Sequence, residues 1–297
     1  YIEANGTSST VALRIDGESS TTSNISIEEA RIVSNNGNVS IINNATSDTS
    51  NITISNSKAI VSSQILAEDA ITITNSSTGA TQTDINISNT NASIAAHQIY
   101  LDHGPMTLSS TGDIICDNSA ATTETYSTLF INISPSSLDV SVANNIQLIG
   151  AAWNIRGDIS IESTGAGNLT LEQNAATDIS LIRTRSGLFS IDVTNGDIVL
   201  EDGAYLRGSS STPGSGTSYI EVTSGDVTFG DGCAFYNYFN TRITANDGNV
   251  TIGNGGTASY VRSTARAVDI QGSDSGAFIL GANSYILGVR DVSLEKF

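Results

Sequence analysis

Residues 157–200 read GDISIESTGAGNLTLEQNAATDISLIRTRSGLFSIDVTNGDIVL. An apolar–polar–apolar step occurs there five times in succession: Ile159/Ile161, Leu169/Leu171, Ile179/Leu181, Phe189/Ile191 and Ile198/Leu200. The steps begin ten, ten, ten and nine residues apart. A period of two sends alternate side chains to opposite faces of a strand, so each step buries its apolar pair and exposes the residue between them. Gly157-Asp158, Gly167-Asn168 and Gly196-Asp197 precede three of the steps. Gly, Asp and Asn tolerate the backbone angles of a sharp corner. The segment is therefore a strand–corner array at fixed pitch, and Ile159, Leu169, Ile179, Ile191 and Ile198 are expected to be inward and buried.

The pattern extends over the chain. It is present at Asn24–Ile27, Gly37–Ile41 and Asn51–Ile54, resumes at Gly225–Phe229 and Gly248–Ile252, and continues through Val268–Ile270, Phe278–Leu280 and Val292–Leu294. A related form, two strands around a small-residue corner, fits Leu66–Ile73, Ile94–Leu101 and Val142–Leu148. Residues 117–128 and 207–218 break the pattern and are expected to protrude as loops. Asn195-Gly196 is a hairpin signal and would suit an antiparallel sandwich. Three features favour a parallel β-helix instead: the pattern spans almost the whole chain, steps twenty residues apart match best, and Asn, Ser, Thr and Ile stack well on their equivalents. The expectation is one all-β domain over 1–297, a right-handed parallel β-helix of about 20 residues per coil. Roughly 14 rungs at about 4.8 Å would make a rod about 70 Å long.

Charged residues are 14% of the chain, against roughly 25% in an ordinary soluble domain. Net charge is −18, the basic residues form no stripe along the sequence, and nucleic acid is not an expected partner. No run of 18 apolar residues occurs, so no membrane-spanning helix is expected. The first residue is Tyr1 and Met106 is the only methionine, as in a processed or partial chain. Cys116 and Cys233 lie too far apart in a solenoid to pair, and read as buried free thiols.

The GDI, GNV and GNL steps and the I-x-A-x-x-I-x-L form resemble the solenoid regions of filamentous-haemagglutinin-like exoproteins and autotransporter passengers. The resemblance implies a secreted right-handed β-helix, extracellular or at the cell surface, acting as an adhesin or stalk. The Asn-Pro motifs usual in the secretion domain of that family do not occur in this sequence.

Parallel β-helices also host polysaccharide lyases and hydrolases, so a carbohydrate-active enzyme is the alternative. Hydrolysis needs two carboxyl groups roughly 5 to 9.5 Å apart. Asp226 and Asp231 are the nearest candidates, beside Glu201-Asp202, and corner aspartates bonding their own backbone are the plainer reading. Phe235-Tyr236-Asn237-Tyr238-Phe239 is the densest aromatic run. Alternation would bury Phe235 and Phe239 and expose Tyr236 and Tyr238, which could stack on sugar rings with Trp153. Glycans are thus candidate ligands, with Tyr236, Tyr238, Asp226 and Asp231 as candidate contacts. Asp102-His103 lacks a recognisable nucleophile, and two His and two Cys at unrelated positions predict neither a metal site nor a cofactor. Thr72 and Thr74 would suit an ice-binding face only if a regular Thr array continued beyond them. Neither terminus has a helical cap, so the end coils are expected to stack on other copies or to continue into a longer chain.

Overall fold

The computed structural model describes residues 2–5, 9–16, 22–46, 49–56, 64–76, 82–89, 99–118, 129–133, 136–173, 180–208, 216–273 and 275–296. Among them the ordered elements are all strands, in three parallel sheets. Sheet A has eleven strands, from Ile2–Ala4 to Tyr285–Gly288. Sheet B has eleven, from Ser9–Asp16 to Val292–Lys296, and sheet C has ten, from Thr22–Glu28 to Phe278–Leu280. The chain visits A, B and C in turn, and each strand pairs in parallel with its equivalent one circuit later. This is the parallel β-solenoid expected from the repeated step. Asn195-Gly196 joins a B strand to a C strand as a corner and forms no hairpin.

The coil is longer than expected. Equivalent strands lie roughly 29 residues apart, not about 20. Ile159 pairs with Phe189 and Leu169 with Ile198. The ten-residue pitch is the length of one strand with its corner, and three such segments close a coil where two were expected. The rungs therefore number eleven, and the rod is about 50 Å long at ordinary strand spacing. Coil length varies, since Ile65 pairs with Ile99 but Leu181 with Tyr205.

Side chains of equivalent strands stack in columns. In sheet B one inward column runs Leu13, Ile41, Ile73, Leu108, Val140, Ile161, Ile191, Ile220, Ile243, Ile270, Leu294. Burying one such side chain is worth about 1.5–3 kcal/mol, and each β-branched residue is already restricted at χ1 before it packs. Ile159, Leu169, Ile191 and Ile198 are buried as expected, while Ile179 lies outside the described residues. Leu181 corrects the step Ile179/Leu181: it faces outward and is half-buried, and Ile182 takes the inward place. Strand Leu181–Thr184 belongs to sheet A, where Ile182 stacks between Trp153 and Leu206. Of the two expected loops, Asp117, Arg207, Thr217 and Ser218 lie in strands, and residues 119–128 and 209–215 lie outside the described set.

Two stacked asparagines inside the coils, Asn43 and Asn75, find their partners on neighbouring segments. The Asn43 amide donates to the Ser23 carbonyl at 3.0 Å and accepts from the Ser23 hydroxyl at 3.1 Å. Asn75, stacked on Asn43, repeats this with Ser50 and also donates to the Asp84 carbonyl. Cys116 and Cys233 are free and buried, and burial pushes each thiol up to about 12.

The Gly-Asp and Gly-Asn pairs have a stacking cause. At the corner between sheets B and C, a Cβ on Gly196 would lie 2.3 Å from the Gly167 carbonyl oxygen, and one on Gly248 2.0 Å from that of Gly225. Within this glycine column only Gly225 has a left-handed φ. Close approach of successive coils, more than backbone angle, requires glycine here. The next residue caps the coil above. The Asn168 side chain accepts from the Asp197 N–H at 2.8 Å, Asp197 from the Asp226 N–H at 2.8 Å, and Asp226 from the Asn249 N–H at 2.7 Å. The ladder continues below through Asn145, Asp113 and Asp84, and above from Asn249 to the Ala277 N–H.

Candidate functional site

The inward columns position what the outer faces display. In the C-terminal half of sheet A, Ile182, Leu206, Phe235 and Val261 are fully buried, so the residues on either side of each lie on the outer face, where Ala234 alone is itself buried. One outward column runs Leu181, Tyr205, Ala234, Tyr260, Tyr285. The other runs Arg183, Arg207, Tyr236, Arg262, Leu287. The Tyr260 and Tyr285 rings stack with centroids 5.2 Å apart and planes 7° apart. The Arg262 guanidinium lies over the Tyr236 ring, 5.7 Å from its centroid, and Arg262 Nε is buried with no hydrogen-bond acceptor. Burial first, then the phenols of Tyr285 and Tyr205, push the Tyr260 phenol up against the opposing pull of Arg262 and Arg207. Tyr205, Arg207, Arg262 and Tyr285 thus surround Tyr260 on one surface.

The corner from sheet A to sheet B adds Arg156, Arg185, Arg266 and Arg290. Seven of the chain's ten arginines therefore lie on this face or its corner, which makes it locally cationic on a chain of net charge −18. Sequence reading found no basic stripe because these residues come from separate coils. The signal is present only once residues one coil apart are aligned.

The expected site residues separate. Tyr236 belongs to the ladder and is half-exposed; Tyr238 is half-exposed at the adjoining corner, its N–H donating to Asn237 Oδ1 at 2.9 Å. Phe235 and Phe239 are buried as alternation requires. Trp153 is fully buried in the inward column of sheet A and belongs to no exposed platform. Asp226 and Asp231 stand at opposite ends of strand Val227–Phe229, at the B–C and C–A corners. Asp226 accepts from Asn249, and Asp231 accepts from the Asn254 N–H at 2.7 Å and the Gly256 N–H at 2.9 Å. Both cap the backbone of the following coil.

A second array escaped sequence reading for the same reason. Glu162, Asp192 and Glu221 stack on the outer face of sheet B. Burial first, then Glu221 and Glu162, push the Asp192 carboxyl above the usual carboxylate range. At the third and fourth A–B corners, His103 Nε2 lies 3.0 Å from Asp69 of the coil below, with Asp102 3.8 Å from Nδ1. Thr72 and Thr74 face outward, but Asp139 and Ser141 follow in their columns and no Thr array continues.

Comparison with family models, curated proteins and solved structures finds no match to this chain. What the structure shares with the exoprotein resemblance is the parallel β-solenoid itself.

Proposed function

We propose that this chain is a structural, adhesive β-solenoid of an extracellular or cell-surface protein, a rod whose last described coil is covered by a further coil, supplied by another copy of the chain stacked end to end or by a longer chain. One observation carries the reading. Positions that are core along the rod are exposed in its last coil: Leu294 is 54% and Phe278 39% exposed, whereas Ile270 and Val250, their neighbours one coil below, are 2% and 1%. An apolar groove lined by Val250, Ile270, Ala277, Phe278 and Leu294 opens there. The complementary columns begin at the other end, with Leu13 in the Leu294 column and Ile25 in the Phe278 column. A second copy placed head to tail would set Leu294 on Leu13 and Phe278 on Ile25. That contact is heterologous and does not close, so it builds a filament. Exposed strand edges template such pairing, and a net charge of −18 opposes side-by-side contact.

Electron microscopy and sedimentation of the chain at high concentration and high salt test the reading. Filaments are expected, with Leu294→Asp dispersing them because a charge would enter a stacked apolar column without a partner. Particles that stay single under all these conditions refute the assembly. Secretion and surface display are supported by the exoprotein resemblance and by a polar surface built from Ser, Thr and Asn.

A second reading, hydrolysis of a glycan, has the Glu162–Asp192–Glu221 stack in its favour. Adjacent strands lie about 4.8 Å apart, near the separation of roughly 5 Å used by retaining glycosidases. Release of reducing ends from a polysaccharide, abolished by Asp192→Asn, would replace the structural reading.

A further inference from the structure

We propose that the outer face of sheet A between Leu181 and Leu287 binds a linear, anionic polysaccharide lying along the rod axis, with sugar rings on the tyrosine column and acid groups on the arginine column. The inference names the partner of the adhesive role proposed above, and it is independent of end-to-end assembly.

Geometry fixes the direction and the repeat. Tyr205, Tyr260 and Tyr285 occupy one column, and Arg183, Arg207 and Arg262 the next, two residues further along the same strands. The strand spacing of about 4.8 Å, close to the length of one pyranose in an extended polymer, separates Tyr260 from Tyr285 and Arg183 from Arg207, while Ala234 and Tyr236 fill the coil between Tyr205 and Tyr260 and between Arg207 and Arg262, which are two such steps apart. Aromatic faces stack on the C–H faces of sugars, and guanidinium groups take carboxylate or sulfate in bidentate geometry. The parallel Tyr260 and Tyr285 rings form a surface more than one side chain deep. Arg262 has a buried Nε without an acceptor, and its guanidinium lies over Tyr236, its neighbour in the same column.

Charge fixes the orientation. The arginines of the A–B corner, Arg156, Arg185, Arg266 and Arg290, extend the cationic side. The C–A corner on the other side is acidic: Glu201 lies close enough to Glu172 and Asp202 for their charges, after burial, to push its carboxyl up. Asp231 stacks above Asp202 on that corner. Acid groups of a ligand are therefore repelled from the tyrosine edge and drawn to the arginine edge. A nucleic-acid strand fits less well. It carries a charge on every nucleotide, about 3.4 Å apart in stacked form, so it falls out of step with the coils and meets the repulsion of the whole rod.

Affinity electrophoresis and calorimetry with polygalacturonate and with dextran sulfate as probes test the proposal on the full chain. Neutral dextran and single-stranded DNA serve as comparisons. Binding to at least one anionic polysaccharide is expected, weakening as salt rises, with the carboxylated and sulfated arms identifying the preferred acid group. Arg207→Gln and Tyr285→Ala, both at exposed positions, should each weaken it about tenfold or more. Arg242→Gln, an exposed cation on the outer face of sheet B, should leave it within twofold, an allowance of about 0.4 kcal/mol. Leu294→Asp should disperse filaments without loss of binding per chain, which separates this inference from the assembly reading. No binding to either anionic polymer overturns the proposal. So does binding that survives the double variant Arg207→Gln/Arg262→Gln, or tighter binding to the DNA.

Discussion

Asp226 sits where a catalytic and a structural role give opposite results. Its Oδ1 accepts from the Asn249 N–H at 2.7 Å and from the Asn249 side-chain amide at 3.0 Å. Asp226→Ala removes both bonds and leaves a partly buried backbone donor on the coil above without an acceptor. A hydrogen bond to a charged group contributes about 1.5–3 kcal/mol. Losing it should therefore raise the local opening constant at Asn249 about tenfold to about 150-fold. Asp226→Asn keeps an acceptor oxygen in the same place, as Asn168 and Asn249 do elsewhere in the ladder. It should cost less than about 1 kcal/mol. Hydrogen exchange followed amide by amide reads this directly, because a solenoid opens coil by coil and a single melting temperature would average over coils. Accelerated exchange at Asn249 in Asp226→Ala, with near-normal exchange in Asp226→Asn, is the expected pair of results. Equal effects of the two variants, or none in either, would refute the capping account.

Other outcomes follow from the same columns. Ile191→Ala removes a fully buried member of the sheet B column and should cost about 2–5 kcal/mol, read as a lowered denaturant midpoint. The Asp192 carboxyl is raised by burial and by Glu221 and Glu162, so the unstrained contribution of this site is present below the ordinary aspartate range and is lost as pH rises through its own higher value. Asp192→Asn should accordingly raise the melting temperature at neutral pH and lose that advantage in acid; an equal gain at every pH would contradict the assignment. Cys116 and Cys233, with thiols pushed up to about 12 by burial, should resist alkylation in the native rod and react after unfolding. Rapid labelling of either thiol in folded protein would show that its coil opens.

Much of the fold is legible because strand periodicity is local. The inward places of Ile159, Leu169, Ile191 and Ile198 follow from alternation alone. Coil length is not local: it depends on how many strand–corner segments close a circuit, and segments of similar pitch and composition serve in all three sheets. The match between residues twenty apart reflected shared strand chemistry, whereas Ile159 packs beneath Phe189. The misplacement of Leu181 has the same origin, since Leu181 and Ile182 are both apolar and only the stack of Trp153 below and Leu206 above selects the inward one. The outer faces were the least legible part. Arg183, Arg207 and Arg262 belong to different coils, as do Glu162, Asp192 and Glu221, and no sequence window contains their juxtaposition. Turn chemistry alone assigns the corner aspartates to their own backbone. Their acceptors instead serve the following coil, a partner whose identity depends on coil length.

The central structural claim is a coil of three strands, and a cross-link tests it most directly. Ser160 pairs with Ser190 on neighbouring strands of sheet B, where strand spacing of about 4.8 Å falls within the Cα separation that a disulfide spans. A two-strand coil of about 20 residues would instead set Ser160 beside Ser180. The double variants Ser160→Cys/Ser190→Cys and Ser160→Cys/Ser180→Cys should be oxidised mildly under native conditions and mapped by mass spectrometry. The three-strand coil predicts an intrachain bond in the first variant and none in the second. Bonding in the second variant alone would contradict it.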